Sequence, residues 1–180
     1  MMLVNEPMFA AFEEAAAQDL LAVNEDYEWA NGEDLMPIGA ESLNNPKPDL
    51  AYGLAYEDED SQEPEAHHWA LTVERLSTLA ALPSARLRFS PSEKEDIVFP
   101  ALIYEAKSDS NPLLWAENQA AVGATRCLAL LKDLNGISGN VGPSAIVAMV
   151  TSAGSTWQIH LATWVDKGST AWKVVSAWYR

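Results

Sequence analysis

The stretch FPALIYEAKSD, residues 99–109, decides how the rest of the chain is interpreted. Its first half, from Phe99 to Tyr104, is apolar and predicts a buried strand. Glu105 and Lys107 stand at the end of this run, and they are expected on one face because side chains two residues apart on a strand point the same way. Taken alone, such a pair indicates nothing more than an ion pair at the end of a strand.

The composition indicates a single globular domain over residues 1–180. A chain of this length can bury a sizeable core, and its hydrophobic fraction is 48 %. No apolar run approaches the roughly 18 residues that a membrane-spanning helix needs. Cys127 is the single cysteine, so there is no disulfide framework, and its apolar surroundings predict a buried free thiol.

The charge balance is strongly acidic, with 26 acids against 11 bases and a formal net charge of −15. This excess opposes the binding of polyanions. A function on nucleic acid would therefore need positive charge concentrated in one cleft, or supplied by a protein partner or a further domain. The amino-terminal residues lack the basic region of a signal peptide, so an intracellular protein, nuclear or cytoplasmic, is expected.

The spacing of apolar residues predicts helices and strands in a mixed order. Helices are expected over 7–23, 67–82 and 110–136. Strands are expected over 50–56, 97–107, 145–152, 156–165 and 170–178. A polar loop with one short strand is expected over 24–48, and an acidic surface loop over 57–65. This order is typical of an α/β domain.

A second acidic residue, Asp49, stands directly after Pro48 at the start of a predicted strand. It shares a strand face with Ala51, Gly53 and Ala55, whose small side chains predict space beside the carboxylate. The alternative is that Asp49 simply follows a turn, which is common after proline.

A third element is the helix that follows the strand of Glu105. Gln119 shares a helix face with Trp115, Gly123 and Arg126. Small residues along this helix let it lie close to a sheet, so Gln119 is expected to face the strand ends that hold Asp49 and Glu105. The alternative is a solvated glutamine.

Together these residues give an ordered pattern: Pro48-Asp49, then Glu105-Ala106-Lys107, then the helix segment Ala116-Glu117-Asn118-Gln119. In this order the chain resembles the PD-(D/E)XK nuclease superfamily over roughly residues 5–165, and it is most similar to the PD-(D/E)XK nuclease-like domains of fungal proteins. The resemblance implies a mixed central β-sheet flanked by helices, with a restriction-endonuclease-like αβββαβ core. The acidic loop and the 67–82 helix would be an insertion in that core, and the domain could be one part of a longer chain.

The resemblance implies a Mg²⁺- or Mn²⁺-dependent nuclease that hydrolyses the phosphodiester bonds of DNA, an (endo)deoxyribonuclease for which endo and exo cleavage both stay open. Asp49 and Glu105 would be side-chain ligands of the metal, and the backbone carbonyl of Ala106 would be a third ligand. The chemistry agrees, because two neighbouring carboxylates repel unless a cation lies between them, and hard divalent cations prefer oxygen ligands.

Three further residues receive roles from the same resemblance and from their positions. Lys107 would orient the attacking water and stabilise charge on the phosphate. Gln119 would hold Lys107 or the substrate backbone in place. Arg126, farther along the same helix face, is predicted to contact a phosphate. Many members also carry an acid on their first helix, and here Glu13 and Glu14 are both available.

Two other functions remain open at this point. The first is a catalytically silent binding or regulatory module on the same nuclease-like scaffold, which the acidic charge favours. The second is an unrelated acidic α/β interaction protein in which the pattern is a coincidence. A nuclease predicts that the carboxylates of Asp49 and Glu105 lie close together, and an accidental pattern does not.

Overall fold

The computed structural model describes residues 21–25, 29, 46–54, 56–57, 71–72, 76–78, 81, 89–91, 97–138, 145–165 and 172–179. Its strands are β1 Leu21–Glu25, β2 Leu50–Leu54, β3 Tyr56–Glu57, β4 Leu71–Thr72, β5 Val98–Lys107, β6 Ile146–Ala153, β7 Thr156–Trp164 and β8 Trp172–Tyr179. The long helix α1 spans Leu113–Ser138.

Six strands form one mixed sheet in the order β1-β2-β5-β6-β7-β8, and β3 and β4 form a separate parallel pair. Neighbours in the large sheet are antiparallel except β5 and β6, which are parallel. A parallel pair needs a long crossover connection, and α1 lies in the chain between these two strands. The predicted α/β class with a mixed central sheet is confirmed.

Most of the predicted strands and the helix over 110–136 are confirmed with small shifts of their ends. Two predictions extend too far. The helix predicted over 7–23 is wrong at 21–23, which belong to β1, and its earlier residues lie outside the described residues. The helix predicted over 67–82 is wrong at Leu71–Thr72, which form β4, and is helical at 76–78. The acidic loop lies outside the described residues beyond Glu57, and so do most of 24–48 and the two candidate acids Glu13 and Glu14.

The core has two layers, one on each face of the sheet. Helix α1 packs on one face through a cluster that includes Ile103, Met149, Ala120, Ala124 and Cys127. The opposite face carries Tyr52, Leu102, Val150, Leu50, Tyr104, Ala148, Trp157 and Ile159. Odd-numbered residues of β5 and β6 therefore face α1, as strand alternation requires. Burial raises the pKa of the Cys127 thiol, and the predicted buried free thiol is confirmed.

The small residues that follow Asp49 pack against neighbouring groups instead of leaving space. Ala51 is fully buried in the cluster under α1. A Cβ on Gly53 would lie 2.6 Å from the Val98 carbonyl oxygen and 2.6 Å from Ile97 Cγ1. The expectation of space beside the carboxylate is therefore wrong for both positions, because β5 approaches β2 too closely there. Ala55 lies outside the described residues.

Helix α1 lies close to the sheet because it has a glycine where it crosses β5. A Cβ on Gly123 would lie 2.8 Å from Ile103 Cδ1. The amino end of α1 follows a short loop after Lys107, so the helix begins beside the carboxyl end of β5. Among the described residues, no helix is long and apolar enough to cross a membrane.

Candidate metal and nucleic-acid site

The structure brings Asp49 next to the end of β5. Asp49 directly precedes β2, which pairs with β5 in an antiparallel register. Its Oδ2 accepts a hydrogen bond of 2.7 Å from the backbone N–H of Ala106. The carboxylate of Asp49 is thereby held beside Ala106, the residue between Glu105 and Lys107, although Glu105 lies 56 positions after Asp49 in the sequence.

Glu105 and Lys107 project from the same face of β5, as predicted. Lys107 Nζ lies 3.5 Å from Glu105 Oε2, so the two side chains form an ion pair. They differ in access to solvent: Glu105 is 1 % exposed, whereas the Lys107 side chain is 20 % exposed. The pair is therefore a buried carboxyl with a cation at its open side, which is more than a surface salt bridge.

At this corner of the sheet, where Asp49, Glu105 and Lys107 meet, the electrostatics favour a neutral Glu105 in the absence of a bound cation. Burial and then the nearby charge of Asp49 raise the pKa of Glu105 to about 8, while Lys107 acts in the opposite direction. A carboxyl group whose pKa is raised this far is typical of a functional site. The same corner would hold two anions if a further positive charge were bound there.

Gln119 lies at the level of Glu105 along the helix. Gly123 of α1 crosses β5 at Ile103, and Glu105 is two residues, about 6.6 Å, farther along the strand. The helix runs back over the sheet with a rise of about 1.5 Å per residue. The same 6.6 Å along α1 corresponds to about four to five residues from Gly123 toward the amino end, which is the position of Gln119.

Gln119 also lies on the flank of α1 that is nearer to β5. The opposite flank carries Glu117, whose charge acts on His160 of β7. Gly123, by contrast, adjoins Ile103 of β5 and the ring of Trp29. Gln119 is exposed, and among the described residues no hydrogen bond joins it to Asp49, Glu105 or Lys107. Its position beside the strand end therefore stays a prediction, as does its role in holding Lys107 or the substrate backbone.

Arg126 requires a correction. The sequence predicts a phosphate contact, but the side chain is 0 % exposed, and its Nη1 donates a 3.0 Å hydrogen bond to the backbone carbonyl of Trp29. The guanidinium lies within the core because this part of α1 is buried beside Trp29. Burial lowers its pKa. A group enclosed in this way does not reach a nucleic-acid backbone, and Arg86 and Arg88 lie outside the described residues.

Sequence reasoning missed three polar residues on the same face of the sheet. Thr151 of β6 is in register with Glu105, and Gln158 of β7 is in register with Thr151. His160 is also buried, and its Nε2 lies 3.3 Å from Thr151 Oγ1. The signal was present in TWQIHLATW, residues 156–164, where Gln158 and His160 occupy inward positions of an otherwise apolar alternation.

The donors at this corner suit a hard cation. Asp49 and Glu105 supply carboxylate oxygens, and oxygen donors are what Mg²⁺ and Mn²⁺ prefer. Among the residues that the structure describes, no group of three or more His, Cys, Asp or Glu side chains is placed to hold a metal. The ligand set that the resemblance implies needs only two side chains, the carboxylates of Asp49 and Glu105, together with the backbone carbonyl of Ala106.

A family model described as a domain of unknown function, DUF7924, matches residues 1–141. The chain belongs to the DUF7924 family. The matched part of this DUF7924 chain contains Asp49, Glu105, Lys107 and Gln119 and ends before β6. No curated protein and no solved structure matches the chain at a significant level.

Proposed function

We propose that this DUF7924 domain is a metal-dependent nuclease of the PD-(D/E)XK type that hydrolyses phosphodiester bonds of DNA. The observation that carries the proposal is the hydrogen bond from the Ala106 N–H to Asp49 Oδ2, which gathers Asp49, Glu105 and Lys107 at one strand end. The P-D and E-x-K parts of the ordered pattern thus meet at one place in the fold.

The topology supports the finer fold assignment. Three antiparallel strands, β1, β2 and β5, are followed by α1 and then by β6 parallel to β5. This succession corresponds to the βββαβ part of an αβββαβ core. Asp49 precedes the second of these strands, and Glu105 and Lys107 end the third. The strands β7 and β8 would extend the core, and the pair β3 and β4 would lie in the insertion.

Asp49, Glu105 and the Ala106 carbonyl would hold Mg²⁺ or Mn²⁺. When bound, such an ion polarises a phosphodiester and lowers the pKa of a coordinated water. Glu105 contributes its charge only as a carboxylate, so the raised pKa makes cation binding compete with protonation. The hydrogen bond from the Ala106 N–H fixes the Asp49 carboxylate in place before any ligand arrives.

Lys107 would supply the positive charge of the site. Its ammonium group lies 3.5 Å from Glu105 and at the open side of the site. From there it can donate hydrogen bonds to the attacking water and to the phosphate oxygens, where negative charge develops during hydrolysis. Gln119, exposed on the neighbouring helix flank, would contact the substrate backbone.

An acidic chain needs a way of holding DNA that does not depend on many basic residues. Lys47 is exposed two residues before Asp49 and adds one cation near the site. Trp115 is 54 % exposed and lies one turn from Gln119 on the same flank of α1. Stacking of a nucleobase on an aromatic side chain stabilises binding by about 1–3 kcal/mol per base without any charge. The preferred substrate would then be DNA with unpaired bases.

The second candidate is a catalytically silent binding or regulatory module on the same scaffold. The net charge of −15 favours it, and so does a Glu105 that stays protonated near neutral pH without a cation. The two functions differ in one measurable property, because only the nuclease requires a cation at Asp49 and Glu105.

The test compares the wild type with Asp49→Asn, and Asp133→Asn is the matched control on the exposed side of α1. Each protein is melted with chelator and with a Mn²⁺ titration, and each is assayed for cleavage of single-stranded, duplex and branched DNA. At tenfold excess over Kd the ion stabilises the folded state by about 1.4 kcal/mol, which raises Tm by roughly 3–6 °C for a domain of this size.

A nuclease predicts that the wild type and Asp133→Asn cleave and show the Mn²⁺ response, and that Asp49→Asn loses both. Without metal, Asp49→Asn should melt close to the wild type, because the amide oxygen can still accept a hydrogen bond from the Ala106 N–H and the raised pKa of Glu105 already keeps its carboxyl neutral. A Mn²⁺ response that persists unchanged in Asp49→Asn would show that the ion binds elsewhere. A metal response without cleavage of any DNA would favour the silent module.

A further inference from the structure

A row of polar side chains crosses three neighbouring strands at the level of Glu105. Glu105 on β5 is in register with Thr151 on β6, and Thr151 is in register with Gln158 on β7. Residues in register on adjacent strands project from the same face, here the face that α1 covers. Hydrogen-bonded strands lie about 4.8 Å apart, so the backbones of Glu105 and Gln158 are about 10 Å apart. Two long side chains and one water molecule can bridge such a gap.

Gln158 is the unusual member of this row. Its side chain is 3 % exposed, and its Oε1 has no hydrogen-bond partner among the described residues. A buried amide oxygen without a donor costs free energy, and buried polar groups in proteins are nearly always paired with protein groups or ordered water. This oxygen therefore indicates a donor that the described side chains do not supply.

The residues around Gln158 narrow the choice of that donor. Thr151 is fully buried, and its Oγ1 is already paired with His160 Nε2 at 3.3 Å. Helix α1, which covers this face, carries the buried alanines Ala116 and Ala120, whose side chains have no polar atoms. On one side of Gln158 the row continues to Trp178 of β8, and on the other side it leads through Thr151 to Glu105, whose side chain is ionisable.

We propose that Gln158 is a positioning residue of the metal site, whose Oε1 accepts a hydrogen bond from a water molecule of the bound cation. The inference rests on the proposed function. In the sheet order, Asp49 lies on one side of Glu105 and Gln158 on the other, so the two would constrain the ion from opposite directions. Mg²⁺ and Mn²⁺ sites retain waters, and groups that bind such waters orient the site without touching the ion.

The experiment measures Mn²⁺ binding directly by titration calorimetry on the whole chain, together with urea unfolding in chelator. The variants are Gln158→Leu, which removes the acceptor, and Gln158→Glu, which keeps an acceptor oxygen at the same length. Thr163→Val is the matched control, because it removes a different hydrogen bond on β7, the 2.9 Å bond from Thr163 Oγ1 to the Ala145 carbonyl. Asp49→Asn reports on the metal site itself.

We expect Gln158→Leu to weaken Mn²⁺ binding about 10-fold or more, with no loss of stability in chelator, since an unpaired buried polar group has been replaced. Gln158→Glu should bind Mn²⁺ at least as tightly as the wild type, and Thr163→Val should bind it unchanged. Unaltered Mn²⁺ affinity in Gln158→Leu, with affinity lost in Asp49→Asn, would overturn the role of Gln158 alone. Equal losses in Gln158→Leu and Gln158→Glu would also overturn it. Affinity retained in Asp49→Asn, or absent in the wild type, would overturn the proposed function together with this inference.

Discussion

Lys107 and Arg126 are both basic residues in the part of the chain that carries the candidate site, yet they lie in opposite environments. Lys107 ends β5 with its ammonium group partly open to solvent and paired with Glu105. Arg126 lies in the middle of α1, is fully buried, and donates to the backbone of Trp29. A cation at the end of a strand stays accessible to solvent, whereas the buried cation of α1 holds two segments of the fold together.

The candidate site at the end of β5 and the packed middle of α1 therefore differ in what their side chains contribute. The carboxyl end of β5 gathers polar groups whose arrangement does little for the core. The middle of α1 does the reverse, since Gly123 and Arg126 serve close packing and the internal connection to Trp29. Substitutions at the two places should therefore give different responses in activity and in unfolding.

The largest expected effect is the loss of cleavage in Lys107→Ala. Removing a group that stabilises charge in the transition state costs about 10²- to 10³-fold in rate. The free energy of unfolding should change by only about 0.5 kcal/mol, because a partly exposed strand-end lysine contributes little to the core. The checks are a DNA cleavage assay with Mn²⁺ and a urea unfolding curve. Cleavage at the wild-type rate would remove Lys107 from the mechanism.

The next effect is on stability and concerns Arg126→Ala. The substitution leaves a cavity and removes the donor to the Trp29 carbonyl, so the free energy of unfolding should fall by about 2–4 kcal/mol. The matched control is Lys132→Ala on the same helix, where the ammonium lies 4.9 Å from the centre of the Trp164 ring and contributes about 1 kcal/mol or less. Urea unfolding compares the two. Equal stability of both variants would show that Arg126 is not a structural residue.

The last effect, the smallest for a change of one pH unit, is the dependence of the free energy of unfolding on pH that comes from Glu105. Its pKa is raised to about 8 in the folded state by burial and by Asp49, so between the ordinary carboxyl value of 4.5 and about 8 the folded chain keeps a proton that the unfolded chain has lost. In that window the free energy of unfolding falls as pH rises, by at most about 1.4 kcal/mol per pH unit. Below this pH window, the contribution of Glu105 to the free energy of unfolding is constant.

The glutamine in Glu105→Gln does not ionise. The free energy of unfolding of this variant, relative to that of the wild type, should therefore rise from pH 5 to pH 8 when both are unfolded in chelator. The comparison uses the difference between the two proteins, because other groups titrate equally in both. A difference that stays constant with pH would mean that Glu105 titrates normally in the folded protein. Saturating Mn²⁺ should reduce the wild-type slope, since a bound cation favours the carboxylate.

The sequence by itself determined the elements that build the site. Alternation placed Glu105 and Lys107 on one face of β5, and the Pro-Asp boundary placed Asp49 at the start of β2. The long helix over Leu113–Ser138 was predicted from its apolar spacing and the proline near its start. These are local regularities, and a few neighbouring residues are enough to specify them.

Only the tertiary structure decided which of these residues meet and which are enclosed. Arg126 and Gln119 share a helix face in sequence, yet one is buried and the other exposed, because the face passes from beside the strand end to beneath Trp29 and Ile103. The close approach of β5 also fills the space that Ala51 and Gly53 seemed to leave. Gln158 joins the level of Glu105 solely through the register of β5, β6 and β7. Burial and register depend on contacts between segments far apart in the chain, and no local pattern specifies those contacts.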